Sequence, residues 1–212
     1  LVMAFDHCVP YGADPAEVAR AVQRPPRWAR RCVEAFGPGG RAGRLGYEQV
    51  LFGIVQGGLD PALRRLSAAQ LGELDLPGYA IGGLSVGEPP AAMHEMCAFT
   101  APLLPPARPR YLMGVGFPDD IRAAVAAGVD MFDCVLPTRM ARTGTVMTRD
   151  GRLVVKNAEC ARDERPLDLE CGCPVCARHT RAYVRHLFQS GEMLGPTLAT
   201  LHNLWFYGQL MR

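Results

Sequence analysis

Residues 51–56 form the stretch Leu51-Phe52-Gly53-Ile54-Val55-Gln56, a nearly continuous apolar run that ends in a polar residue. Such a run is typical of a strand that is buried on both faces, as the strands of a parallel sheet are. Four other segments have the same apolar character, namely Leu1–Asp6, Tyr79–Leu84, Tyr111–Gly116 and Met131–Leu136. The sequence therefore predicts five buried parallel strands.

Helical patterns lie between these strands. Asp14–Phe36 and Asp60–Leu74 each begin with an aspartate, which can cap a helix, followed by a proline in the first turn. We expect the first of these helices to break at Pro25–Pro26. Pro89–Leu104 and Pro118–Ala127 are the remaining helices between strands. The strict alternation of strand and helix predicts an α/β fold with a parallel sheet.

The residues at the strand ends favour a (β/α)8 barrel of the TIM type over an open doubly wound sheet, which is the alternative. A barrel gathers its active site at the carboxyl ends of its strands. The unusual residues at those ends are Asp6, Gln56, Gly82–Gly83, Met113–Gly114 and Asp133. A complete barrel needs about 250 residues. We therefore expect a fragment with about five βα units, whose first three units precede Leu1.

Composition and charge exclude several classes of protein. The 212 residues are 49% hydrophobic and 21% charged, which is typical of a globular chain. The sequence contains no run of about 18 apolar residues, the length that a transmembrane helix needs. Five of the eight cysteines are scattered, which indicates a reduced, cytoplasmic protein. Residues 139–185 include ten basic and six acidic residues, a balance compatible with a phosphate-bearing partner.

The strand and helix pattern changes after Leu136. Thr138–Thr143 is predicted to be a polar loop, and Arg149-Asp150-Gly151 is typical of a hairpin turn. The hairpin strands would be Thr145–Thr148 and Arg152–Lys156, and two further helices are expected at Thr180–Ser190 and Pro196–Met211. We therefore place a boundary near Gly144, with the barrel part in residues 1–143 and a second part, which contains the hairpin and the final helices, in residues 144–212.

Three clustered cysteines indicate a zinc-binding subdomain within residues 144–212. Cys171, Cys173 and Cys176 are separated by one and two residues, so one tight turn can present three thiolates to a tetrahedral zinc ion. His202, at the start of the final helix, could supply the fourth ligand, and His179 and His186 are alternatives that spacing does not exclude. Four protein ligands leave no open position, so the zinc would be structural.

The strand-end residues have both structural and catalytic interpretations. Asp133 follows an apolar strand, where it could cap the next loop or act as a carboxylate nucleophile. Asp6, Gln56 and the open backbone of Gly82–Gly83 could together recognise the edge of a purine-like base. The loop arginines Arg139 and Arg142 could bind a phosphate or a base edge, or could simply be solvated.

Five stretches resemble the tRNA-guanine transglycosylase family. They are Phe5–Tyr11, Leu51–Gly58, Tyr79–Glu88, Tyr111–Gly116 and Asp133–Arg139. The set Cys171, Cys173, Cys176 and His202 completes the resemblance and identifies His202 as the fourth zinc ligand. Members of this family are zinc-containing (β/α)8 barrels that exchange guanine at the wobble position of certain tRNAs for a modified base.

The resemblance implies roles for individual residues. Asp133 would be the nucleophile that attacks the ribose C1′ and forms a covalent intermediate with tRNA. The base-binding residues would be Asp6, Gln56, Gly83, Leu84, Glu88 and Met113. RNA-contacting residues would be Gly114, Val115, Gly116, Phe117, Pro118, Asp119 and Asp120, together with Thr138, Arg139, Met140, Ala141 and Arg142.

The resemblance also implies substrates and partners. Cys8 and Val86 match the bacterial form, which incorporates 7-aminomethyl-7-deazaguanine (preQ1) into tRNAs that accept Asp, Asn, His or Tyr. We expect a homodimer in the cytoplasm, one structural zinc ion and no membrane partner.

The sequence departs from the family at two points. His7 replaces a glutamate that is common in the family, and the general acid/base aspartate of the family is expected on a strand before Leu1. We therefore expect residues 1–212 alone to be inactive. A non-catalytic tRNA-binding subunit is the alternative hypothesis, although this chain retains Asp133.

Overall fold

The apolar stretch at Leu51 forms a strand of the parallel sheet in the structure, a computed structural model that describes residues 1–37, 40–42 and 46–212. Contacts divide the chain into two units, Leu1–Asp133 and Cys134–Arg212. The strands of the first unit are β1 (Val2–Met3), β2 (Arg41–Ala42), β3 (Gln49–Val55), β4 (Gly78–Ile81), β5 (Arg110–Leu112) and β6 (Met131–Phe132).

The strand order is that of a barrel. Within the described residues, the five parallel strands pair in the order β1-β3-β4-β5-β6, which is their order along the chain. A doubly wound sheet would reverse its strand order at a switch point, and no such reversal occurs among these strands. The short strand β2 pairs with β3 in the antiparallel direction. The first unit is thus an α/β fold that forms part of a TIM-type barrel, and the predicted fold class is confirmed.

Four of the five strands are shorter than predicted, whereas β3 has seven residues and begins two residues before the predicted Leu51. The ladder of β6 ends at Phe132, whereas the apolar run continues to Leu136. Strand β4 ends at Ile81 because Gly83 adopts a positive φ of 63°, which takes the chain out of the extended conformation. The residues at the strand ends therefore lie in loops at the edge of the sheet.

Helices follow the strands as the sequence predicts. They are α1 (Pro15–Val22), α2 (Arg24–Phe36), α3 (Pro61–Gly72), α4 (Pro90–Thr100) and α5 (Pro118–Ala126). The Asp14 carboxylate caps α1 by accepting from the N–H groups of the first turn, and Asp60 caps α3 in the same way. The predicted break at Pro25–Pro26 is wrong by two residues. Both prolines lie in the first turn of α2, where proline is tolerated, and the break is at Gln23.

Apolar residues of the strands and helices form the core of the first unit. Leu51, Val55, Leu71, Tyr79 and Leu112 are all buried in it. Because the strand interiors are apolar on both faces, polar groups can be accommodated mainly at the strand ends.

The second unit begins with a helix that the sequence analysis missed. Its elements are α6 (Leu136–Arg142), β7 (Thr145–Thr148), β8 (Gly151–Val154), α7 (Arg181–Gln189) and α8 (Leu194–Leu210). The prediction of a loop at Thr138–Thr143 is wrong, because Pro137 lies in the first turn of α6 and the buried Ala141 packs into the core of this unit. Since α6 packs against α8, the two units divide before this helix, whereas the predicted boundary follows it.

Among the described residues, no helix has the length and apolar character needed to cross a membrane.

Strand β4 approaches β3 closely at Gly78, which leads to a stability prediction. A Cβ atom at Gly78 would lie 2.1 Å from Cζ of the buried Phe52 ring. We expect Gly78→Ala to lower the free energy of unfolding by about 1–3 kcal/mol, since an overpacked core must shift backbone or side chains. Urea unfolding followed by circular dichroism measures the change.

The matched control is Gly72→Ala at the end of α3, where no described atom outside the adjacent residues and the backbone of the helix itself lies within 4 Å of the added Cβ. This variant should be neutral or more stable by less than about 1 kcal/mol. Equal stability of the Gly78→Ala and wild-type proteins would contradict the packing of β4 against β3.

Candidate functional site

The strand register brings the predicted strand-end residues to one level. Val55 pairs with Ile81, and Leu112 pairs with both Ile81 and Phe132. One residue further along the four strands, the same register produces a row of Gln56, Gly82, Met113 and Asp133. Backbone hydrogen bonds continue the ladder to this level, from Gly82 N–H to Val55 O at 3.0 Å and from Met113 N–H to Ile81 O at 3.2 Å. Four predicted site positions from four strands thus share one edge of the sheet.

Asp6 joins this row through Gln56. The Nε2 group of Gln56 donates to Oδ2 of Asp6 at 2.6 Å, and the Gln56 side chain is buried. The backbone N–H of Gln56 donates to the Ser67 hydroxyl at 3.1 Å, which anchors the residue to α3. Since Nε2 is engaged by the carboxylate, the amide group of Gln56 has a defined orientation, with Oε1 on the opposite side.

Glycines provide the room for this amide. A Cβ atom at Gly83 would lie 2.2 Å from Oε1 of Gln56, and one at Gly82 would lie 2.7 Å from its Nε2. Gly83 also has a φ of 63°, which side chains rarely adopt. The backbone N–H of Gly83 donates to the thiol of Cys8. Any larger residue at 82 or 83 would displace Gln56.

Asp133 lies at the other end of the row and is exposed to solvent. Its Oδ1 accepts from the N–H of Gly114 at 3.0 Å, and its carboxylate also accepts from the hydroxyl of Tyr111. Burial, followed by the charge and hydrogen bond of Asp133, raises the pKa of Tyr111 to about 12. The Tyr111 hydroxyl therefore stays protonated and donates at neutral pH. Two donors orient a carboxylate that remains accessible to a ligand.

Glu88 has a structural contact in the same region. Its carboxylate accepts from the backbone N–H groups of Ser85 and Val86, the second at 2.9 Å. Ser85 has a φ of 59°, so Glu88 stabilises a turn in a conformation that non-glycine residues rarely adopt. Leu84, which precedes this turn, is buried in the core of the first unit.

Two cavities border the predicted base-binding residues. One has a volume of about 480 Å³, and its lining includes Gly83, Glu88 and Tyr11. The other has a volume of about 590 Å³, and its lining includes Asp6 and Trp28. Both belong to the first unit.

The predicted RNA-contacting residues lie in two helices and the loops before them. In the loop Gly114–Phe117, both Val115 and Gly116 are buried. Pro118 begins α5. The carboxylates of the first turn of α5 are engaged, Asp119 with Arg122 at 2.9 Å and Asp120 with His94 at 2.7 Å.

The second predicted RNA segment is α6. Thr138 and Met140 are half-buried, Ala141 is buried, and Arg139 and Arg142 are exposed. Only the two arginines of this helix offer charges to a partner.

The second unit brings the predicted metal ligands together. The ligand atoms of Cys171, Cys173, Cys176 and His202 all lie within 4.8 Å of one another. The three Sγ atoms are 3.7, 3.5 and 3.3 Å from Nδ1 of His202. A tetrahedral ion with metal–sulfur bonds near 2.3 Å and a metal–nitrogen bond near 2.0 Å requires sulfur–nitrogen separations of about 3.6 Å. The four residues thus fit one metal ion.

Hydrogen bonds from side chains of α8 to the backbone of β7 orient the histidine. Nε2 of His202 donates to the carbonyl oxygen of Met147 at 2.7 Å, which leaves Nδ1 free as a ligand. The neighbouring Asn203 is fully buried, and its Oδ1 accepts from the N–H of Met147 at 2.9 Å. Its Nδ2 donates to the carbonyl oxygens of Pro137 and Thr145. Both polar backbone groups of Met147 are therefore held by two successive residues of α8.

Hydrogen bonding within the cluster also favours a thiolate. The thiol of Cys176 donates to Cys173, which holds the pKa of the Cys173 thiol well below its usual range and raises the pKa of the Cys176 thiol. Burial raises the pKa of the Cys171 thiol. A deprotonated sulfur is the form that binds a metal.

The whole chain matches one protein family. The model of the queuine tRNA-ribosyltransferase family matches residues 1–212. This chain belongs to that family. It is 54% identical over 212 residues to the queuine tRNA-ribosyltransferase of Acetivibrio thermocellus, 54% over 211 residues to that of Pelotomaculum thermopropionicum and 53% over 211 residues to that of Geobacillus thermodenitrificans. In each comparison the whole of this chain is covered, and 55%, 55% and 54% of the respective relative. The chain thus spans about half the length of the curated relatives that it matches, and the predicted family is confirmed.

In this member of the queuine tRNA-ribosyltransferase family, three residues that support the candidate sites were not identified from the sequence. Arg64 is fully buried beside Gln56 and Gly83, Tyr111 contacts Asp133, and Asn203 contacts Met147. The sequence offers one signal for Asn203, because this polar residue adjoins the predicted ligand His202 in a largely apolar helix. His7, which departs from the family pattern, forms a hydrogen bond with Arg24.

The cysteine cluster leads to a metal-binding prediction for this family member. We expect the purified protein to contain one metal ion per chain, because four ligand atoms converge. Cys173→Ser should remove the ion, since a serine hydroxyl is a poor substitute for thiolate. Inductively coupled plasma mass spectrometry of the dialysed protein measures the ratio.

The matched control is Cys160→Ser, because Cys160 is as buried as Cys173, lies in the same unit and is outside the cluster. It should retain the ion. Loss of metal from both variants, or from neither, would contradict the assignment of these ligands.

Proposed function

We propose that the protein containing this chain is a tRNA-guanine transglycosylase, which replaces guanine at the wobble position of tRNA with preQ1. The observation that carries the proposal is the row at the strand ends. It combines a pair of polar groups suited to a base, Asp6 and Gln56, with an exposed carboxylate, Asp133, on the same sheet edge. Family membership supports the same conclusion.

The base would bind at the Asp6 end of the row. One carboxylate oxygen of Asp6 accepts from Gln56, and the other can accept from N–H groups on the base. Gln56 and the N–H of Gly83 would contact its carbonyl edge, and Met113 would pack against the ring. Leu84 and Glu88 would support the pocket from the turn that follows Gly83.

The sugar would bind at the Asp133 end. A carboxylate oxygen attacks C1′, the bond from C1′ to N9 of guanine breaks, and guanine departs with the electron pair and takes up a proton. N9 of preQ1 then attacks C1′, loses its proton and releases Asp133. Tyr111 and Gly114 hold the carboxylate in place during both displacements. We assign the proton transfer at the base to no residue of this chain.

Exposed arginines support an RNA substrate. Arg139 and Arg142 project from α6 to solvent, where a guanidinium can bind phosphate or a base edge. We propose that Gly114–Asp120 and Thr138–Arg142 contact the anticodon region of tRNAs that accept Asp, Asn, His or Tyr. A wobble base in an anticodon loop can be extruded at lower cost than a base inside a duplex.

The metal would be a structural zinc ion. The ligand set of three sulfurs and one imidazole nitrogen is one that zinc prefers, and it leaves no open coordination position. Such an ion would stabilise the second unit, and no step of the reaction passes through it. We further propose a cytoplasmic homodimer, with no membrane partner.

Asp133 leads to the prediction that tests this function. We expect the whole protein, incubated with substrate tRNA, to form an RNA adduct that survives denaturing electrophoresis. Asp133→Asn should abolish the adduct, because a neutral amide is a far weaker nucleophile than a carboxylate. Radiolabelled guanine exchange should fall by roughly a thousandfold or more in the same variant.

The matched control is Asp130→Asn. Asp130 lies three residues earlier, and its Oδ2 accepts from the backbone N–H of Arg110 at 2.8 Å. This variant should be less stable and still form the adduct. An adduct that persists in Asp133→Asn would remove Asp133 as the nucleophile, and a wild-type protein that binds tRNA without any adduct would support the non-catalytic alternative.

A further inference from the structure

Arg64 is a buried cation beneath the row of site residues. It lies in the first turns of α3 with its side chain fully buried. The guanidinium donates from Nε to Gly58 O at 2.9 Å and from Nη1 to Val55 O at 3.3 Å. It also donates from Nη1 to Gly82 O at 2.7 Å and from Nη2 to Gly83 O at 3.1 Å. One side chain thus connects the loops that follow β3 and β4.

Among the described residues, no carboxylate forms an ion pair with Arg64, and the hydrogen-bond acceptors of its guanidinium are backbone carbonyls. Burial lowers the pKa of Arg64 to about 10, so the group is still charged at neutral pH. A buried charge is costly to retain, and the contacts to Val55 and Gly58 could be replaced by neutral donors. We therefore expect at least one of the other contacts of Arg64 to be strengthened by its positive charge.

The shortest of these contacts is to the peptide that joins Gly82 and Gly83. In a trans peptide the C=O and N–H groups point in opposite directions. Since Arg64 binds the oxygen of Gly82, the N–H of Gly83 points away from Arg64, and it donates to the thiol of Cys8. Gly83 also lines the cavity of about 480 Å³. A thiol is a weak acceptor, which a carbonyl oxygen of a ligand can displace.

We propose that Arg64 is a positioning residue that orients and polarises the Gly82–Gly83 peptide, so that the N–H of Gly83 becomes a strong donor to the carbonyl oxygen of the bound base. This inference rests on the proposed function. A charged donor on the oxygen of a peptide withdraws electron density from its N–H group, and hydrogen bonds in such a chain strengthen one another.

The effect should be larger during the reaction than in the ground state. When the bond from C1′ to N9 breaks, its electron pair moves onto guanine, and part of the charge reaches the carbonyl oxygen of the base. A pre-oriented, polarised N–H stabilises that oxygen more strongly as its charge grows. Arg64 would then influence the rate of exchange as well as the affinity for the base, without touching either substrate.

The test compares two bases and two substitutions in the whole protein. Guanine carries the carbonyl oxygen, whereas 2-aminopurine lacks both this oxygen and the adjacent N1–H, so each variant is compared with the wild type for the same base. We expect Arg64→Gln, which removes the charge, to weaken guanine binding about tenfold, the order expected for a lost charge-assisted contact, and to change 2-aminopurine binding little. Arg64→Lys, which keeps the charge, should recover part of the guanine affinity. Equilibrium dialysis with radiolabelled bases measures both.

The neighbouring Arg65 provides the matched control. It is exposed, and its guanidinium lies 4.8 Å from the centre of the Phe99 ring. Arg65→Gln and Arg65→Lys should bind both bases as the wild type does. If the Arg64→Gln loss is the same for both bases, a purely structural role is indicated and the proposal is overturned, while the proposed function stands. If the unaltered protein binds no guanine, the proposed function is wrong and the role of Arg64 falls with it.

A measurement on the unaltered protein covers the case in which both Arg64 variants fail to fold. In glycine-labelled protein, the amide proton resonance of Gly83 should move downfield when guanine binds and should move little with 2-aminopurine. A Gly83 resonance that guanine leaves unchanged would overturn the proposal, because the polarised donor would then have no acceptor on the base.

Discussion

The register of the parallel sheet is the constraint on which the first unit depends. It aligns Gln56, Gly82, Met113 and Asp133 one residue beyond the last paired positions of their strands. Because side chains alternate between the faces of a strand, a slip by one residue would turn a site residue toward the opposite face. Such a slip would also draw a polar end residue into the apolar interior of the sheet, where it would be costly to bury without partners. The position of these side chains at the sheet edge is therefore a consequence of core packing.

The ligand cluster of the second unit does not depend on strand register. Its cysteines are close in sequence, and one turn presents them, but the histidine comes from the far end of the unit. His202 and Asn203 both bind the backbone of Met147, so α8 is fixed to β7 independently of a metal. The ligand cluster is thus largely pre-organised, and a bound ion would add stability to an arrangement that hydrogen bonds already favour.

Much of this organisation could be predicted from the sequence. The order and type of the strands followed from apolar runs, and Asp14 and Asp60 cap the helices that their Asp-Pro pattern predicted. Helix α6 was missed because Pro137 and polar residues are typical of loops, and only its packing against α8 explains it. Arg64 was missed for a related reason. Its acceptors are backbone carbonyls, which are the same for every residue type, so no pattern of side chains could indicate them.

We propose that the sheet edge from Asp6 to Asp133 is a site for a purine-like base and its sugar. A crystal structure of the whole protein with guanine bound tests it most directly. We expect density for the base against the Asp6 carboxylate, the Gln56 amide and the N–H of Gly83, with its N9 atom facing Asp133. Guanine bound away from these groups, for example beside Trp28 with the Gly83 N–H still donating to Cys8, would contradict it.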